Sequence, residues 1–264
     1  MRLKIVHETQ YQYDVPVGYG LQRLRLTPQA GKTQAIVSWQ IDIDGGREEV
    51  RFTDHFGNET KLVSMEGEPH VVAVKASGIV DTFDTAGVVG PHSGFTPLWL
   101  YQRITTLTEP GPAIEAFVAS VPAGSELERL HWLLGAIADK VAYEAGATAA
   151  TTTAEEAIGL GKGVCQDHTH IFLAAARMLG LPARYVSGYL MMDGVSDQVA
   201  SHAWAEAYVP AIGWVGFDVS NRICPDERYV RVAVGRDYRD AAPISGIRLG
   251  QASEQLAVRI SVEQ

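Results

Sequence analysis

The chain has 264 residues, 46% of them hydrophobic, and a formal net charge of -9 at pH 7. That length can bury one large core or two modest ones, and the acidic balance argues against a nucleic-acid partner, which needs concentrated Lys and Arg to displace counterions. No apolar stretch approaches membrane-spanning length, and two cysteines, Cys165 and Cys224, are too few to frame a disulfide-built domain of this size.

Residues 1–8 lack an uninterrupted apolar core and a small-residue cleavage site, so no secretory signal is read there and a reduced, cytoplasmic protein is expected. Leu3, Ile5, His7, Thr9, Tyr11 and Tyr13 fall at alternate positions and predict a strand. Residues 21–27, 36–43, 50–56, 60–65 and 71–77 read as further short strands between Gly, Pro, Asp and Asn turns, with Asp54-His55-Phe56-Gly57-Asn58 as a hairpin connection. Strands at this spacing with no helix between them predict an antiparallel β-sandwich or barrel-like domain over residues 1–105.

Pro91, Gly94, Pro97, Pro110 and Pro112 give residues 87–112 the breaker density of a linker, and the domain boundary is placed there. Helical patterning follows. Ser125 with Glu128 forms a capping-box signature ahead of the stripe Leu127, Leu130, Leu134, Ile137 and Val141, and Thr153 caps a short helix through Ile158. A helix from Cys165 should bury Ile171, Phe172, Ala175, Met178 and Leu179 and stop at Gly180-Leu181-Pro182. Strands at 184–191, 202–209 and 214–218 come next, and an alternating run from Leu256 to Val262 predicts a closing strand. The α+β expectation for residues 106–264 is helices packed on an antiparallel sheet.

The segment Gly163-Val164-Cys165-Gln166-Asp167 puts a thiol where a helix begins. Unpaired N–H groups and the positive end of the helix dipole make that a place where a thiolate is stabilised. His202 heads a strand and Asp218 ends the next, so Cys165 as nucleophile, His202 as proton carrier and Asp218 as the group that orients the imidazole form a candidate constellation. The Cys165 amide is a candidate oxyanion donor, with a side chain near Tyr143 as a second. Gln166, His168 and Trp204 are candidates for the cleft wall.

Blander readings stand beside these. Cys165 could be a buried hydrophobe or disulfide-bonded to Cys224, His202 a strand histidine, and Asp218 a turn residue with Ser220 and Asn221. A zinc reading of Asp167, His168 and His170 is disfavoured by geometry, because residues two apart on a helix point in different directions. Neither a phosphate-cradling loop nor a calcium-loop pattern is present, so no metal and no organic cofactor are expected.

The Gly163-Val164-Cys165-Gln166-Asp167 block, His202-Ala203-Trp204, Gly213-Trp214 with Phe217-Asp218, and Gly235-Arg236-Asp237-Tyr238 together resemble the transglutaminase-like cysteine-enzyme superfamily. The specific resemblance is to its bacterial branch, in which a β-rich N-terminal domain precedes a papain-like catalytic one. It implies a thiol enzyme acting on a peptide or amide substrate through a thioester. Members include hydrolases and amine transferases, and hydrolysis is favoured here because water needs no acceptor pocket. The rival classes are a catalytically silent peptide-binding module and a zinc hydrolase.

Overall fold

The alternating N-terminal pattern becomes β1 (Arg2–Tyr13), which buries Leu3, Ile5, His7, Thr9 and Tyr13. The computed structural model describes residues 1–250 and 252–264. Five more strands follow: β2 (Tyr19–Leu24), β3 (Gln34–Asp44), β4 (Gly46–Thr53), β5 (Glu59–Met65) and β6 (Val71–Thr82). Asp54 makes the β4–β5 turn, its carboxylate accepting the Phe56 and Asn58 amides at 2.9 Å each. The expected strand over 50–56 therefore ends where that turn begins.

The 87–112 segment is more ordered than its prolines suggest. It holds β7 (Val88–Gly90) and 3-10 turns at Leu98–Gln102 and Thr106–Thr108, and Pro112 opens α1 (Pro112–Ala119) at a first-turn position where its missing N–H costs nothing. Next come α2 (Glu126–Lys140), β8 (Ala142–Tyr143), α3 (Ala154–Leu160), β9 (Lys162–Gly163) and α4 (Cys165–Met178). Both capping boxes form: the Ser125 and Thr153 hydroxyls accept the Glu128 and Glu156 amides at 3.3 and 3.2 Å. The chain ends with β10 (Ala183–Leu190), β11 (Asp197–Gln198), β12 (His202–Val209), β13 (Gly213–Phe217), β14 (Tyr229–Gly235), α5 (Tyr238–Ala241), β15 (Ile244–Leu249) and β16 (Glu254–Glu263).

An antiparallel sheet ordered β14-β10-β12-β13-β7 carries α4 on one face. Ala203, Ala205 and Ala207 point toward the helix, and their small side chains admit Ile171, Phe172 and Ala175, with Phe172 stacked on Phe217 at 5.1 Å. Met178, expected inside, is 39% exposed at the helix end. Gly180 at φ 80 then stops the helix, and the Leu181 amide reaches back to the Ala176 carbonyl.

Two further antiparallel sheets, β11-β16-β1-β6-β3 and β15-β2-β5-β4, form the N-terminal sandwich around Leu24, Leu26, Val63, Val74 and Ala76. Strands β15 and β16 come from the far end of the sequence, on the other side of residue 105, yet pair with β2 and β1. A second cluster, with Leu3, Ile5, Ile260 and Val262 against Tyr189, Val230 and Val232, joins these strands to the central sheet. Buried His7 bridges the same junction, Nδ1 to the Tyr189 hydroxyl at 2.9 Å and Nε2 to Thr9 Oγ1 at 3.1 Å. Among the described residues no helix is long and apolar enough to cross a membrane.

Candidate active site

Cys165 is the first residue of α4. The preceding Val164 donates its N–H to Asp167 Oδ2 at 2.8 Å, and the same oxygen accepts the Thr148 hydroxyl at 2.6 Å, so a fully buried carboxylate ties down the first turn. Two glycines make the approach feasible. Gly161 takes φ 69 as the left-handed terminator of α3, and a Cβ on Gly163 would stand 2.7 Å from Asp167 Cβ. Parallel pairing of β8 with β9 sets Tyr143 opposite Gly163, two residues before the thiol.

His202 opens β12, and its Nε2 lies 2.6 Å from Asp218 Oδ2. Cys165 acts on the same imidazole, raising its pKa together with Asp218. Asp218 follows β13 directly, and its backbone is pinned by paired hydrogen bonds with Ile223 at 2.9 and 3.2 Å. Its Oδ2 also accepts the Tyr229 hydroxyl and the Asn221 side-chain amide, each at 2.7 Å, and Oδ1 accepts the Asn221 backbone N–H at 3.2 Å. Asn221 was legible only as a turn partner, and nothing in the sequence around Tyr229 announces its role.

The electrostatics follow from that geometry. Burial alone would lower the pKa of His202, but hydrogen bonds with Asp218 and Cys165, together with their charges, outweigh it and raise the value to about 10. Burial would raise Asp218, but the hydrogen bond and charge of His202, with support from Asn221 and Tyr229, hold it below the ordinary carboxylate range. The phenol of Tyr143 is pushed up first by burial and then by the charges of Cys165 and Asp218.

The three cleft-wall candidates sit differently. Gln166 is half-buried and donates to the Ala150 carbonyl at 3.2 Å. His168 is 2% exposed and has both nitrogens engaged, with the Val141 carbonyl and Ser220 Oγ, each at 2.9 Å; it braces the turn that carries Asp218. Trp204 is 3% exposed, stacked on the His202 ring at 6.2 Å between centroids and packed edge-on against Tyr229 at 5.4 Å. It supports the imidazole from beneath. His170 turns away from His168, its Nε2 accepting the Tyr238 amide at 3.2 Å, and among the described residues no group of three metal-ligating side chains converges. Cys165 and Cys224 are both free thiols, which removes the disulfide reading.

The Gly235-Arg236-Asp237-Tyr238 block works as a latch. Asp237 caps α5 by accepting the Arg239 amide at 2.9 Å, and the Arg236 carbonyl receives the buried Arg177 guanidinium.

Comparison with known proteins bears on family and fold. Residues 115–219, which contain Cys165, His202 and Asp218, match the model of the transglutaminase-like superfamily, and residues 3–81 match the bacterial transglutaminase-like N-terminal region. An uncharacterized protein of Mycobacterium leprae is 26% identical over 275 residues, covering 99% of this chain and 98% of its own length. One from Mycobacterium tuberculosis is 29% identical over 290 residues, covering 99% and 92%. A crystal structure from Cytophaga hutchinsonii, described as a "Putative Cysteine Protease", superposes with a TM-score of 0.79 at 22% identity over 100% of this chain and 91% of the other. At that identity the likeness speaks to the fold.

Proposed function

Because the chain belongs to the transglutaminase-like superfamily, with the bacterial N-terminal region ahead of its core, we propose that it is a thiol-dependent acyl-transfer enzyme acting on peptide or carboxamide bonds. The observation that carries the reading is the 2.6 Å contact between His202 and Asp218, with Cys165 at the start of α4 acting on the same imidazole. In this reading the Cys165 sulfur attacks the carbonyl carbon, and the amides at the start of α4 face the developing oxyanion. Asp218 occupies Nε2 of His202, which leaves Nδ1 as the nitrogen that takes the thiol proton and hands it to the departing amine. The C–N bond breaks, a thioester remains on Cys165, and attack by water releases the acid and restores the thiol.

A protonated imidazole beside sulfur is the partner a thiolate needs, and the raised pKa of His202 supports that pairing. Hydrolysis is the preferred outcome over amine transfer, since water requires no second binding site. The two free thiols fit a reducing, cytoplasmic setting.

The test is a peptide-and-amide library offered with and without a primary amine, read by product mass. Cleavage products gaining one water support hydrolysis, and amine adducts instead would make the protein a transferase. Cys165→Ala should abolish either product while the fold is retained, and turnover that survives it would remove the nucleophile.

A further inference from the structure

On the same face of β12 as His202, four residues along, stands Glu206, completely buried between two arginines. Arg184 reaches its Oε2 at 2.6 Å and Arg231 its Oε1 at 3.1 Å. One carboxylate thus faces two guanidinium groups, and the arginines, not Glu206, line a cavity of about 580 Å³ between the β4–β5 turn, residues 29–33 and residues 89–96. Glu206 lies about 13 Å along the strand from His202, at the rise of an extended chain, and the cavity shares no residue with the Cys165 constellation.

The charge around this cavity does not close. The Arg184 side chain is 8% exposed and that of Arg231 15%. Arg184 spends Nε and Nη2 on Glu206, and Arg231 gives Nη1 to Gln29 Oε1 at 2.8 Å. The hydrogen bonds and ion pairs of the two side chains use Arg184 Nε and Nη2 and Arg231 Nε and Nη1, which leaves Arg184 Nη1 and Arg231 Nη2 for another acceptor. Arg184 is also stacked over the Trp214 ring at 3.9 Å, so its plane is fixed. Lys32 adds a third cation at the exposed rim. The one acidic residue in the lining, Asp54, is spent on the Phe56 and Asn58 amides, the Asn58 side chain and Arg25. A concentration of unspent donors in a protein of net charge -9 is a local reversal of sign.

The wall over the cavity is built as well. Trp214 Nε1 donates to His92 Nδ1 at 3.2 Å, which leaves His92 Nε2–H to donate to the Thr96 carbonyl at 2.7 Å, and the Thr96 hydroxyl bonds the His55 carbonyl. These contacts tie residues 92–96 to Trp214 and to the β4–β5 turn. The volume is that of a small-molecule site, and planar guanidinium forks suit carboxylate and phosphate oxygens.

We propose that this cavity is a binding site for a metabolite-sized organic oxyanion, carboxylate or phosphate, gripped by Arg184 and Arg231 with Lys32 at the mouth. Its test uses the full chain and titration calorimetry with inorganic phosphate, glucose 6-phosphate and citrate, against sodium chloride of equal ionic strength. Saturable binding of one equivalent of at least one probe is expected, and which probe binds separates phosphate from carboxylate. Lys32→Glu, a surface change that leaves the buried ion pairs alone, should weaken that binding about tenfold or more, and Arg184→Lys should weaken it by removing the fork. Cys165→Ala should bind as the wild type does, which makes the result independent of the proposed activity. Failure of all three probes to bind beyond the chloride control, or binding unchanged in Lys32→Glu, overturns the proposal.

Discussion

Tyr229 donates its hydroxyl to the same Asp218 oxygen that contacts His202, at 2.7 Å against 2.6 Å, so the carboxylate is aimed from two sides. Tyr229→Phe keeps the ring against Trp204 and deletes only the donor. A net hydrogen bond of roughly 1 kcal/mol corresponds to about a fivefold to tenfold fall in kcat/KM. Steady-state kinetics on a cleaved peptide, with circular dichroism to confirm folding, would show it, and an unchanged rate would mean that Asn221 alone aims Asp218.

Loss of His202 removes the proton carrier, whereas Asp218→Asn leaves the imidazole in place with a weaker partner. The His202→Ala variant should therefore lose more kcat than Asp218→Asn. The reverse order in parallel kinetics would show that Asp218 does more than orient.

The raised pKa of His202 makes stability depend on pH. Its pairing with Asp218 contributes fully below the unfolded value of 6.5 and is lost as pH climbs toward about 10. The lowered pKa of Asp218 acts in the other direction, and its contribution is lost as pH falls through the acid range. Thermal unfolding from neutral to alkaline pH should show a decline in the wild type that is flatter in Asp218→Asn. Parallel slopes would refute the coupling.

Gly188 leaves room for the ring beneath the imidazole. A Cβ there would meet the Val230 carbonyl oxygen at 2.1 Å and Trp204 Cη2 at 2.7 Å. Gly188→Ala should cost about 1–3 kcal/mol of stability through overpacking and lower activity by displacing Trp204 under His202. Denaturant unfolding together with turnover measures both effects.

The two thiols should separate under alkylation. Burial raises the pKa of Cys224, which also packs against Gly87, while Cys165 opens a helix beside an imidazole. Iodoacetamide at neutral pH is expected to modify Cys165 first, as peptide mass mapping would reveal, and faster labelling of Cys224 would contradict the assigned chemistry.

Local signals carried much of this structure into the sequence. The two capping boxes, the glycine stop after α4 and the bounds of β12 depend on neighbours within four residues or on strict alternation, and all are readable. Long-range dependence hid the rest. The start of α1 is capped by Glu155, which accepts the Gly111, Ala113 and Ile114 amides from more than forty residues away, so its prolines read only as breakers. The three residues of β7 acquire strand geometry only by pairing with β13. At the site, the blocks around Cys165, His202 and Asp218 stood out. The burial of His168 and Trp204, and the arrival of Tyr229, are set by tertiary packing that no periodicity encodes.

The pairing of β1 with β16 joins Tyr13 to Glu254 and Lys4 to Glu263. On a ribosome adding about 5–20 residues per second, the opening strand waits on the order of ten seconds or more for that neighbour. Until then it has β6 on one flank and an unsatisfied ladder on the other, the kind of surface that invites mispairing with a second nascent chain. The stretch leading into His202 also hangs on β16, through Asp197 opposite Ser261 and Gln198 opposite Ile260. The rim beside the imidazole therefore sets only after β16 has been made, and any chemistry there waits on that strand.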